Sequence, residues 1–134
     1  MKGIKANITR LLPVGARIPT CDNSGAKILR IVSVTNAKTR HGRRSSAGVG
    51  DLITATVVAG RPDMRHKLVK AVIVRQKKEY RRPDGMRVKF QDNAAVVMKD
   101  EKGGNPKGTI FKGPISKDAV ERWPGIGKVA SIIL

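Results

Sequence analysis

The sequence predicts a mainly β fold: a small five-stranded antiparallel β-barrel with a projecting basic β-ribbon and short C-terminal helices. Three observations predict it. Apolar segments are short and rich in β-branched residues. Clusters of Gly, Pro, Asn and Asp punctuate them at 22–25, 47–51, 83–85 and 103–106. The apolar run Ala71-Val72-Ile73-Val74 leads into dense positive charge, a sharp turn, and a return to Asn93-Ala94-Ala95-Val96-Val97.

Strands are expected, in order, at 28–34, 52–58, 69–74, 87–90 and 94–98. Closing five such strands into a barrel removes exposed sheet edges. In the first, Ile28-Leu29-Arg30-Ile31-Val32 alternates imperfectly, which puts a charged residue on the outer face or at a barrel mouth. The ribbon carries Arg75, Lys77, Lys78, Arg81 and Arg82, turns at Pro83-Asp84-Gly85, and returns through Arg87, Lys89 and Phe90. Strand alternation sends Arg75 and Lys77 to one face and Gln76 and Lys78 to the other. Phe90, next to Lys89, reads as core. Near the end, Ser116 is placed to cap a helix over 117–122, with Asp118 near its positive pole. Pro124 breaks that helix and opens a second turn from Gly125 onward, and the apolar tail 129–134 is expected to dock on the barrel or on a partner, the barrel first. The chain reads as one domain, 1–134, with barrel and ribbon over about 1–115 and a helical segment over about 116–134.

Charge sets the class of partner. The 134 residues are 40% hydrophobic, which excludes a wholly disordered tail, yet 28 Lys and Arg stand against 10 Asp and Glu. A net charge of +18 far exceeds the ~2–8 that solubility needs, so an anionic partner is implied. Apolar runs are too short to span a membrane; a basic amphipathic helix and a signal-peptide core are both absent. Nucleic acid is the expected partner. The single Cys21 cannot form an internal disulfide and lacks zinc-knuckle neighbours, which fits a reducing, intracellular setting. Aromatic residues are only Tyr80, Phe90, Phe111 and Trp123, too few for a protein that reads single strands by stacking. Folded RNA held by its phosphates and shape is the better match.

Three clusters supply the cations. The loop Lys38-Thr39-Arg40-His41-Gly42-Arg43-Arg44 is too charged to collapse onto the barrel until an anion neutralises it. Arg61, Arg65, His66, Lys67 and Lys70 lie between two apolar strands, where Pro62 marks a loop. The ribbon is the third. Expected RNA-binding residues are Lys38, Arg40, Arg43, Arg44, Arg65, Lys67, Arg75, Lys77, Lys78, Arg81, Arg82 and Arg87. Arg grips phosphate with a planar fork, Lys as a point charge.

Catalysis is not expected. Gly48-Val49-Gly50 and Gly125-Ile126-Gly127-Lys128 lack the spacing of phosphate loops and read as turns. His41 and His66 stand near arginines with no carboxylate beside them, and Asp22, Asp51 and Asp84 adjoin turn formers. No nucleophile–base pair, metal-ligand cluster or cofactor motif stands out.

Four blocks carry a resemblance: Cys21-Asp22-Asn23-Ser24-Gly25-Ala26; Ala47-Gly48-Val49-Gly50-Asp51; the long stretch from Ala71 through Arg81-Arg82-Pro83-Asp84-Gly85 to Val97; and Gly108-Thr109-Ile110-Phe111-Lys112-Gly113-Pro114. In this order they resemble the universal large-subunit ribosomal protein family numbered fourteen. Leu12-Pro13-Val14-Gly15 and Trp123-Pro124 resemble its archaeal and eukaryotic branch. The resemblance implies a structural constituent of the large subunit, cytoplasmic within the ribosome, that binds large-subunit rRNA and reaches small-subunit rRNA in an intersubunit bridge. It implies large-subunit protein three and a twenty-four-e type protein as neighbours. It also implies an anti-association initiation factor near 109–120, with Thr109, Phe111, Lys112, Ser116 and Lys117 at a protein interface. Two competitors remain: a free RNA chaperone with an OB-like barrel, which needs exposed rings, and an RNA-processing enzyme, which needs a catalytic constellation.

Overall fold

The computed structural model describes residues 2–100, 102 and 104–134. In chain order the strands are β1 (Leu12–Pro13), β2 (Arg17–Pro19), β3 (Ala26–Val34), β4 (Ser46–Ala47), β5 (Leu52–Gly60), β6 (Leu68–Arg75), β7 (Tyr80–Arg81), β8 (Arg87–Val88) and β9 (Ala94–Met98). Two helices follow, α1 (Lys117–Arg122) and α2 (Pro124–Gly127). A five-stranded sheet runs β2-β3-β5-β6-β9, every neighbouring pair antiparallel. Register shifts between Ala26 and Leu29 and between Ile31 and Ser33 bend β3 against β5. The bend brings the sheet edges together: Thr20 bridges Ala95 in parallel, and the Cys21 N–H donates to the Ala95 carbonyl at 3.1 Å.

One expected strand changes place. Residues 87–90 do not join the large sheet, because the chain leaves it after Arg75; β8 pairs only with β7, through Tyr80↔Val88 and Arg81↔Arg87. The fifth strand is β2, which contains a proline and buries only Ile18. Three residues with one inward side chain carry no periodicity to detect. A further pair, β1 with β4, is two residues long.

Two apolar clusters explain which strands alternate. Leu29, Ile31, Ile53, Ala55 and Val57 alternate with outward residues on β3 and β5 and fill the sheet's concave side together with Ala71, Ile73, Ala95 and Val97. The opposite faces of β6 and β9, Val72, Val74, Ala94, Val96 and Met98, pack in a second cluster with Phe90, Phe111, Ile115, Ala119, Trp123 and Ile126. Covered on both faces, β6 and β9 need no polar residues, hence the uninterrupted run 71–74.

That second cluster is the underside of the C-terminal segment. Ser116 caps α1, its hydroxyl accepting from the Asp118 N–H, and Pro124 is the first residue of α2. Gly125 to Gly127 therefore lie in a single helical turn rather than in a loop. Trp123 donates its indole N–H to the Gly50 carbonyl at 2.8 Å. The tail docks by backbone: Ile115 bridges Ile133 in parallel, and the Lys117 N–H donates to the Leu134 carbonyl at 2.8 Å. Its side chains at Ile132, Ile133 and Leu134 stay about half exposed.

Candidate nucleic-acid interface

The basic hairpin is a short ladder with a rigid base. Its turn closes where the Arg82 N–H donates to the Met86 carbonyl and the Asp84 carboxylate accepts from the Met86 N–H at 3.0 Å. Gly85 sits at φ +88°, a backbone state that a side chain strains. Below the turn Tyr80 is buried; its hydroxyl donates to Asp118 at 2.7 Å and lies 2.6 Å from the Ser116 hydroxyl. Arg82 donates from Nε to the same carboxylate at 3.1 Å and from Nη2 to the Leu134 carbonyl at 2.7 Å. Burial opposes the Arg82 charge, but the Asp118 bond and field more than offset it and hold its proton more tightly than usual.

Arg75 also faces inward. Its Nη1 donates to the carbonyls of Lys112 and Pro114 at 2.9 and 3.0 Å, and its Nη2 donates to Asp92 at 3.2 Å. Strand alternation ends here, because Gln76 is buried too. The Gln76 amide donates to the Thr9 and Lys78 carbonyls and accepts from the Val49 N–H, so three segments converge on one side chain. Nothing in the sequence around Gln76 marks it as such a hub. Lys77, Lys78, Arg81 and Arg87 remain outside, Arg87 paired with Glu79 at 3.2 Å.

The other clusters are open to solvent. Lys38, Arg40, Arg43 and Arg44 are exposed on the connection from β3 to β4. Arg65 and Lys67 are exposed on the turn between β5 and β6, which Arg61 anchors by donating to the Ser24 carbonyl at 3.2 Å. Lys70 is turned along the sheet, donating to the Thr54 hydroxyl at 2.7 Å. The four aromatic rings are all buried: Tyr80 at 1%, Phe90 at 7%, Phe111 at 5% and Trp123 at 3% exposure.

The segment singled out as a protein interface divides. Thr109, Lys112 and Lys117 are exposed, whereas Phe111 and Ser116 point into the fold. Asn23 fastens this segment by accepting from the Thr109 N–H at 2.8 Å, and the Lys112 N–H donates to the Cys21 carbonyl at 2.7 Å. Among the carboxylates, Asp51 accepts from the Gly48 N–H at 2.8 Å and pairs with Arg10 and Arg122 at 3.3 and 3.2 Å. Asp22 accepts from the Val97 N–H and the Ser24 hydroxyl; burial pushes its carboxyl above the usual range against those bonds. These carboxylates hold turns and strands together. Among the described residues no group of His, Cys, Asp and Glu is arranged to hold a metal, and no helix is long and apolar enough to cross a membrane.

Comparison with known proteins finds relatives along the whole chain. The family described as ribosomal protein L14p/L23e matches residues 11–134. The large ribosomal subunit protein uL14 of Nanoarchaeum equitans is 51% identical over 134 residues, covering all of both chains. That of Methanococcus vannielii is 51% identical over 133 residues, 99% of each.

Proposed function

Because the chain belongs to the ribosomal protein L14p/L23e family, as a structural constituent of the large ribosomal subunit and not an enzyme, we propose that it binds large-subunit rRNA by phosphate-directed cations on the hairpin and two loops. One observation carries this reading. Ten of the twelve expected RNA-binding cations are exposed, all but Arg75 and Arg82, and among those ten only Arg87 has a carboxylate partner among the described residues. Unpaired cations at this density repel one another and gain from polyphosphate. The buried rings leave no stacking platform, so backbone and shape are what this surface can recognise.

The finer parts of the proposal follow the family. The hairpin, stiffened at its base by Tyr80 and Asp118, reaches small-subunit rRNA in an intersubunit bridge. Large-subunit protein three and a twenty-four-e type protein are its protein neighbours. Exposed Thr109, Lys112 and Lys117, with Ile110 at 62% exposure, form the face toward an anti-association factor. The chain acts as one domain, its C-terminal segment sharing a core with β6 and β9.

Mixing the purified chain with large-subunit particles stripped of this protein tests the proposal. Stoichiometric co-sedimentation is expected, together with rRNA protections that fade at the hairpin-facing nucleotides when Lys77, Lys78 and Arg81 are changed to Gln. Indifference to the particle at physiological ionic strength rejects it.

A further inference from the structure

The outward face of β2, β3 and β5 carries a charge arrangement that the three clusters do not include. Arg17 on β2 stands directly opposite Arg30 on β3, which stands opposite Thr56 on β5. Like charges facing one another across a ladder destabilise it. Neither arginine has a carboxylate partner among the described residues. They border a shallow hollow lined also by Val14, Val32, Val58 and His66, with Val32 at 46% exposure. His66 is held at φ +63°, unusual for a residue with a side chain, while its N–H donates to the Val57 carbonyl at 2.9 Å. Arg30 also borders an adjoining hollow that contains Arg44 of the exposed loop.

From this arrangement we infer a second RNA track: a phosphodiester backbone lies along the β2–β3–β5 face, its phosphates gripped by Arg17, Arg30 and Arg44. Thr56 and His66 offer hydrogen bonds to phosphate or ribose hydroxyls, and exposed Val32 takes the apolar edge of the sugars. An anion between Arg17 and Arg30 converts cross-strand repulsion into two charge-assisted contacts. The hollows take no residue from the hairpin, so the site gives the barrel wall its own hold on RNA. It deepens the rRNA-binding reading and rests on it.

The test is a titration of stripped large-subunit particles with the wild type, Arg17→Gln, Arg30→Gln and the double variant, at several salt concentrations. Each substitution should flatten the dependence of log affinity on log salt by roughly one unit, and the double variant by roughly two. In the free state the variants should melt no lower than the wild type, since repulsion across β2 and β3 is relieved. A double variant with the wild-type slope overturns the inference while leaving rRNA binding intact. So does an unchanged slope accompanied by loss of a neighbouring acidic protein, which would assign the face to a protein partner. Should the wild type itself fail to bind particles, the ribosomal reading falls, and thermal melts with tripolyphosphate decide the site alone. Stabilisation of the wild type that the double variant lacks keeps it, whereas equal stabilisation of both removes it.

Discussion

Arg75 and Lys77 differ by two positions and by everything that surrounds them. Arg75 satisfies two part-buried carbonyls of the 112–114 segment, so Arg75→Ala strands both acceptors. A loss of about 2–4 kcal/mol in urea unfolding is expected. Lys77→Ala should change stability by less than about 0.5 kcal/mol while lowering the salt slope of rRNA binding by about one unit. Swapped outcomes would mean that the two side chains have been assigned the wrong roles. Alkaline pH probes two more residues. Burial pushes the Cys21 thiol up to about 11 and the Tyr80 phenol up to about 12, from ordinary values of 9.0 and 10.0. Both groups are neutral when protonated, and both folded values lie above the unfolded ones, so the folded state holds these protons more tightly. Their contribution is complete below about pH 9 and is lost as pH rises through about 11 for Cys21 and about 12 for Tyr80. Urea midpoints measured from pH 8 to 12 should fall across that window, and Cys21→Ala should remove the lower part of the decline. A midpoint that stays level throughout would contradict the burial of both groups.

At the scale of elements, the hairpin and α1 are one mechanical unit. Tyr80, Arg82 and Ser116 all meet at Asp118, and α1 has six residues, too few to persist alone. Asp118→Ala takes the carboxylate from a buried phenol and a guanidinium, leaving Tyr80 the Ser116 hydroxyl and Arg82 the Leu134 carbonyl, at a cost of about 1–3 kcal/mol. Hydrogen exchange should then show the amides of β7, β8 and α1 losing protection together, while those of β3 and β5 keep theirs. Loss confined to α1 would show that the hairpin stands unaided. The same elements mark the limits of sequence reading. Turn chemistry at Pro83-Asp84-Gly85 and the Ser116 and Pro124 signals are local, and the structure places a turn and two helix starts there. The pairing of β2 depends on bends in β3, which no short window contains.

For the whole molecule, salt should act with opposite signs on the free and the bound protein. Self-repulsion at +18 weakens the folded state, so the melting temperature of the free chain should rise as salt screens it. Affinity for rRNA should fall over the same range, because each counterion that binding releases gains less entropy in a saltier solution. A melting temperature that drops with added salt would place the stabilising electrostatics within the fold rather than in its partner. Since the C-terminal segment and the barrel share a core around Trp123, Phe111 and Val74, unfolding should follow a single transition by fluorescence and far-UV dichroism. Two separated transitions would divide the chain into independent parts.

By itself the sequence determined the β class, the caps and turns, the scarcity of rings and the excess of cations, because each is written in composition or in neighbours a few residues apart. Only the tertiary structure decided which cations face water. Arg75 and Arg82 are as basic as Lys77 and Arg81, but their guanidiniums meet carbonyls and carboxylates contributed from residues 92 to 134. It also decided that Arg17 and Arg30 stand opposite each other. Charge is a property of a residue, whereas exposure and pairing are properties of the neighbours that folding brings to it.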